Sequence, residues 1–139
     1  MNSFKMHDMK IGQKDSFIVE ITESMMTSFQ NISGDDNPLH LDIDFAISSG
    51  FKDRVVYGLL TSSFYSRLIG VYLPGKYALL MSIKIDFIKP VFIKDKMTVV
   101  GEVVEIDERF KFMIVHSKIL RNKNEEISNA QIRVGFNEQ

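Results

Sequence analysis

The 139-residue sequence contains no cysteine, which excludes disulfides, thiolate metal sites and cysteine nucleophiles together. An excess of one charge is lacking as well. Seventeen basic residues stand against 18 acidic ones, for a net charge of -1, so no global field draws the chain to nucleic acid or to an anionic membrane. No apolar run reaches the roughly 18 to 20 residues of a membrane span. The most apolar stretch, residues 59–73, is interrupted by Thr61, Ser62, Ser63, Ser66 and Arg67 and reads as a buried helix. Residues 1–8 are polar and carry no signal-peptide apolar core, so a cytoplasmic address is expected. Internal repeats and low-complexity tracts are absent. The length suits one compact domain, residues 1–139, with no room for a second.

What is present changes periodicity midway. Residues 15–22 read as a strand, and Thr22 with Glu23 and Ser24 supplies capping chemistry for a helix through Met25, Met26, Phe29 and Ile32. A short second helix is predicted from an Asp42 cap through Phe45, Ala46 and Ile47, ended by Gly50. The third and longest, residues 58–72, carries apolar side chains around most of its circumference and is expected to be buried on nearly all sides. Beyond Pro74-Gly75 the period becomes two: Leu79, Met81, Ile83, Ile85 and Phe87 alternate with Leu80, Ser82, Lys84, Asp86 and Ile88, a strand with one drier face. Strands are also predicted at 96–106, 110–121 and 127–136, with a hairpin turn over 121–126. The last of them places Ser128, Ala130, Ile132, Val134 and Phe136 on one face. This order makes the chain α+β, an antiparallel sheet of about five strands curled around a long central helix. Both edges of such a sheet must be paired or covered.

Between the first two helices lies Ser33-Gly34-Asp35-Asp36-Asn37-Pro38-Leu39-His40-Leu41-Asp42, a short polar break holding carboxylates, an amide, a proline and an imidazole. Asp35 and His40 do not share a regular helix face, and Asn37-Pro38 forces a turn that can bring carboxylate and ring together around one water. A carboxylate with a histidine is the commonest pair for moving protons at neutral pH. The same residue types also build an ordinary surface turn. Asn37 reads as the turn former that orients the loop, and Asp36 is expected to face water. Gly58 opens the apolar helix, where the first N–H groups lack internal partners and a glycine lets an oxygen approach the backbone closely. His7 and His116 stand at no ligand spacing from His40, so no metal site is read. Lys52, Arg54, Lys84 and Lys89 become phosphate contacts only where the fold gathers them.

This string resembles the signature of the MaoC-like (R)-specific enoyl-CoA hydratases, Gly-Asp-x-Asn-Pro-hydrophobic-His-x-Asp, with every defined position matched. Met9-Lys10-Ile11-Gly12-Gln13 looks like the family's opening, and Phe87-Ile88-Lys89-Pro90-Val91-Phe92 like its Phe-x-x-Pro-Val strand end, so the resemblance spans residues 9–136. It implies a hot-dog fold, a homodimer with substrate tunnels at the subunit interface, and reversible hydration of trans-2-enoyl-CoA to (R)-3-hydroxyacyl-CoA. Coenzyme A would enter as part of the substrate, with no separate cofactor. By resemblance Asp35 and His40 are catalytic and hold the attacking water, Gly58 contacts the thioester oxygen, and Ser63 matches a serine beside the catalytic aspartate. Tyr57 departs from the family's usual histidine before the glycine and is expected to donate one hydrogen bond near the thioester. Three alternatives use the same residues: dehydration of an acyl-carrier-protein or specialised acyl thioester, thioester hydrolysis, and non-catalytic acyl-CoA binding. The complete Asp35 and His40 pair argues against the last.

Overall fold

The computed structural model describes residues 1–138. Local chemistry starts each of the first three helices. The Thr22 hydroxyl accepts the Met25 N–H at 3.2 Å to open α1 (Glu23–Ser33), and Gly34, at φ +71°, closes it by donating to the Gln30 carbonyl. Asn37 then opens a one-turn helix, α2 (Pro38–Leu41), by accepting the Leu39 N–H at 2.9 Å. Pro38 fills the first helical position, where its missing N–H costs nothing. The proline that disfavours helix at Asn37 therefore starts one immediately after it, so the turn expected at Asn37-Pro38 continues as one turn of helix. Asp42 caps α3 (Ile43–Ser48) through the N–H groups of Asp44 and Phe45.

The central helix, α4 (Gly58–Arg67), passes into a π-helical turn at Leu68–Tyr72, so the single helix expected over 58–72 changes pitch near its end. Around it curls one antiparallel sheet of β1 (Lys14–Glu20), β2 (Ala78–Phe87), β3 (Lys96–Asp107), β4 (Phe112–Arg121) and β5 (Glu125–Phe136). The strand order is β1-β3-β4-β5-β2. Period-two patterning does what it predicts: Met97, Val99 and Val103 of β3, and Ile132 and Val134 of β5, point inward onto Leu60, Phe64, Tyr65 and Leu68. Burying each such aliphatic or aromatic side chain is worth about 1.5–3 kcal/mol. Gly101 lets helix and sheet close up, since a Cβ there would stand 2.6 Å from Leu68 Cδ2. Tyr65 ties the same helix to β5 through its hydroxyl, 2.5 Å from Ser128 Oγ, and burial pushes its phenol up to about 12.

Two surfaces differ from expectation. One flank of α4, made by Leu59, Ser63, Ser66 and Arg67 at helical spacing, is open, and Leu59 is 65 % exposed. β2 has no dry face in this chain: Leu79 and Met81 are each 54 % exposed and Leu80 47 %, and of this edge strand Ala78 and Ile85 are the residues packed against the core. The other edge, β1, instead exposes Lys14, Ser16, Ile18 and Glu20.

Candidate active site

Backbone bonds within and around α2 assemble the site. The Asp35 N–H donates to Ser33 Oγ at 3.1 Å, and Asp35 Oδ1 accepts the Asn37 N–H at 3.0 Å. The Leu39 carbonyl accepts the Val55 N–H at 3.1 Å, and the Val91 carbonyl accepts the Val56 N–H at 2.8 Å. These bonds lay residues 55–57 alongside α2 on one side and the segment after β2 on the other. His40 Nδ1 then lies 2.7 Å from the Val55 carbonyl oxygen. A carbonyl oxygen can only accept, so Nδ1 carries the hydrogen and, in the neutral ring, Nε2 is an acceptor. That Nε2 faces Asp35 Oδ2 at 4.0 Å. The spacing exceeds a direct hydrogen bond and suits one water that donates a hydrogen to each atom over about 2.8 Å.

Gly58 is the first residue of α4, so its N–H has no acceptor within the helix and sits at the positive end of the helix dipole. It lines a cavity of about 330 Å³ together with His40, Phe87, Pro90, Ile127 and Ser128. The walls are largely apolar, with the imidazole and the start of α4 among the polar groups facing in. Asp35, its side chain 45 % exposed, is not part of that lining, whereas His40, at 14 %, is. A larger open groove of about 760 Å³ crosses the outer face of the sheet over Lys14, Glu102, His116 and Lys118, and shares no lining residue with the cavity that His40 enters. The smaller cavity is the one that His40 and Gly58 line.

The remaining residues sort by what they touch. Tyr57 corrects the expectation of a substrate donor. It is 2 % exposed, and its hydroxyl donates to the Asp35 main-chain carbonyl at 2.8 Å while its ring packs on His40 with centroids 4.1 Å apart. Burial, then the charges of Asp35 and Asp36, push its phenol above the ordinary value, so it stays a donor. Ser63 is corrected too: its hydroxyl donates to the Leu60 carbonyl at 2.6 Å on its own helix. Within this chain the serine against Asp35 is Ser33, whose hydroxyl also donates to the Phe29 carbonyl at 2.8 Å. Sequence reasoning missed both Ser33 and the Val55 carbonyl; a backbone acceptor leaves no mark in a sequence. Asn37, read as a turn former, is the cap of α2, and Asp36 is exposed, accepting from Gln30 Nε2 at 2.8 Å.

Of the four candidate cations, Arg54 pairs with Glu23 and Lys84 lies on the sheet's outer face. Lys89 lines the cavity, and Lys52 holds its ammonium 4.6 Å from the Phe92 ring centroid beside the cavity-lining Phe51. Arg121 braces the cavity wall from behind. It donates to the Pro90 carbonyl at 3.0 Å and to Asp95 Oδ2 at 2.6 Å, and it pairs with Glu125.

An antiparallel sheet curled around a central helix, with an Asp/His pair at that helix's N-terminal end, defines a hot-dog protein equipped for acid/base chemistry. The family model of the MaoC like domain matches residues 5–125, and the chain belongs to that family. It is 35 % identical over 100 residues to the (R)-specific enoyl-CoA hydratase of Aeromonas caviae, covering 72 % of this chain and 75 % of that protein. The (R)-specific enoyl-CoA hydratase of Rhodospirillum rubrum is 35 % identical over 106 residues, covering 76 % and 74 %. Among solved structures, the (R)-hydratase from A. caviae involved in PHA biosynthesis superposes with a TM-score of 0.87 at 29 % identity, over 91 % of this chain and 96 % of that one.

Proposed function

We propose that this protein is a hydro-lyase that reversibly hydrates trans-2-enoyl-CoA to (R)-3-hydroxyacyl-CoA, acting as a homodimer. One observation carries the chemistry: Asp35 Oδ2 and His40 Nε2, two acceptors 4.0 Å apart, flank a place for one water beside the start of α4. Water held by both hydrogens presents its oxygen lone pair outward, toward C3 of an enoyl group in the cavity. As the C3–O bond forms, the pair takes one proton from the water, and the C2–C3 π electrons move toward the thioester oxygen. The Gly58 N–H, which has no acceptor within the helix, meets the developing enolate charge. A proton returned from the pair to C2 completes the addition, and the reverse sequence is dehydration. Base, proton and oxyanion donors balance the reaction by themselves, so the proposal calls for no metal and no redox cofactor.

The homodimer reading is supported by β2, a ten-residue edge strand with Leu79, Leu80, Met81 and Phe87 open to solvent. Long apolar edges are normally paired or covered.

The test is the loss of enoyl-thioester absorbance on adding protein to crotonyl-CoA, with a longer enoyl-CoA in parallel. Wild type should consume substrate and yield the 3-hydroxyacyl product, whereas Asp35→Asn and His40→Ala should each be slower by about 10²–10⁴-fold. Release of free thiol in place of hydration would replace the reading with a thioesterase, and tight binding without turnover would replace it with an acyl-CoA-binding protein.

A further inference from the structure

We propose that Tyr57 is a positioning residue that holds the two members of the acid/base pair at their working separation; the inference rests on the hydratase reading of the same site. No direct bond between Asp35 and His40 can set their distance, because their facing atoms are 4.0 Å apart. The separation has to be imposed from outside. Bonds internal to the loop, such as Asn37 N–H to Asp35 Oδ1 and His40 N–H to the Asn37 carbonyl, shape the loop without anchoring it. Ser33 of α1 anchors Asp35 alone, accepting its N–H; the outside anchor that reaches both partners is the segment Val55-Val56-Tyr57. Its first residue orients the imidazole, the Val55 carbonyl accepting from Nδ1 at 2.7 Å. Its last residue grips both partners: the Tyr57 ring lies against the His40 ring at 4.1 Å and 30°, and its hydroxyl donates to the Asp35 carbonyl at 2.8 Å. On its other side the ring is backed by Phe29 at 4.8 Å, so the side chain has little freedom of its own. One rigid aromatic therefore contacts the imidazole through its face and the aspartate backbone through its tip.

Sub-ångström control of this kind matters because rate falls steeply when reacting groups are misplaced, by about 10²-fold for an error of 1 Å. Tyr57→Phe removes the hydroxyl and keeps the ring, so the Asp35 carbonyl loses its donor, with only the Ser33 bond to the Asp35 N–H left, while His40 stays stacked. The expected result on crotonyl-CoA is a fall in kcat of about tenfold with KM within about twofold of wild type. Ser117→Ala is the matched control. It deletes another buried hydroxyl bonded to a carbonyl, Ser117 to Val100 at 2.6 Å, in the middle of the sheet away from the site. This control should lower the melting temperature comparably and leave kcat unchanged. A Tyr57→Phe enzyme with wild-type kcat overturns the proposal, as does a variant whose loss appears in KM or is matched by Ser117→Ala.

A second readout needs no turnover, which keeps this inference separable from the hydratase reading. In the NMR spectrum, Tyr57→Phe should move the Asp36 amide, which follows the Asp35 carbonyl, and leave the His40 ring protons in place. Tyr57→Leu, which removes the aromatic face, should move both. If wild type fails to hydrate enoyl-CoA but these resonances move as stated, the brace stands and the reaction assignment falls. Unmoved resonances in both variants sink the brace whatever the activity.

Discussion

Replacing Gly58 with alanine separates the two roles a glycine can have at the start of α4, packing space and access to the backbone. The added Cβ would stand 3.0 Å from Phe87 Cε1 and 3.4 Å from Cδ1 and Cζ. In the single chain Phe87 is 58 % exposed, so its ring can swing aside at a cost of about 1 kcal/mol, a freedom that pairing of β2 would restrict. Alanine also gains helix propensity, up to about 1 kcal/mol in a helix interior and less at the first position. These terms oppose each other, and the net stability change should lie within about 1 kcal/mol, a melting shift of about 3–5 °C. Activity should behave differently. An oxyanion donor removed outright costs about 10²–10³-fold in rate, but a methyl only displaces the thioester oxygen from the Gly58 N–H. A fall in kcat/KM of about 10- to 100-fold is expected, or about 1.4–2.8 kcal/mol of transition-state stabilisation. The assay pairs thermal melts with enoyl-CoA kinetics for Gly58→Ala, Phe87→Ala and the double variant. If the methyl acts only by pushing Phe87, the double variant should match Phe87→Ala; if it obstructs the oxygen, the loss should persist. A Gly58→Ala enzyme within threefold of wild type, or a double variant that matches Phe87→Ala, refutes the oxyanion role.

Arg121→Met should destabilise the fold by about 2–4 kcal/mol in a denaturant titration, since it leaves the half-buried Asp95 carboxylate without its cation. Its bond to Glu125 holds that carboxyl below its ordinary 4.5. The corresponding stability is present above about pH 4.5 and lost as pH falls through the lower folded value, so the melting temperature of wild type should drop more steeply than that of Arg121→Met between about pH 5 and pH 3. Lys52→Ala with Lys89→Ala should raise KM about three- to tenfold for an enoyl-CoA and leave it unchanged for the same acyl group on truncated, phosphate-free pantetheine; equal effects on both substrates would remove these lysines from phosphate recognition. Leu80→Lys with Ile83→Lys on β2 should convert a dimer of the 16.0 kDa chain to monomer in sedimentation, and a wild type that sediments as monomer at micromolar concentration would discard the interface.

The parts of this molecule that were readable in advance are those decided by neighbours in sequence. Thr22 and Asp42 cap their helices through N–H groups two or three residues away, and Gly34 ends α1 with the left-handed turn its type permits. The turn at Asn37-Pro38 likewise carries Asp35 and His40 toward each other, while the bonds that hold them come from Ser33, Val55 and Tyr57. What escaped is decided by partners distant along the chain. Tyr57 reads as a donor of one hydrogen bond, and so it is, but its acceptor is a main-chain carbonyl 22 positions back that no side chain announces. The alternation of β2 likewise resembles that of β5, yet β5 lies inside the sheet and β2 at its margin. Period two reports that a strand has faces; strand order decides whether anything covers them.

That margin and the cavity are not independent features. Phe87 ends the apolar series of β2, 58 % exposed, and its ring is also the wall leaning on Gly58. Ile88, 48 % exposed, likewise lines the cavity that His40 enters. The chain therefore leaves one wall of its own site unsupported from outside. An antiparallel pairing of β2 with its copy is self-complementary about a twofold axis and extends the sheet without new chemistry. It would also press the open flank of α4, with Leu59, toward the shared surface and hold Phe87 from behind. Association and catalysis are then coupled through one side chain: whatever frees β2 also frees the ring that shapes the approach to Gly58. The lysine substitutions on β2 should accordingly abolish turnover together with dimerisation, although neither position touches Asp35 or His40.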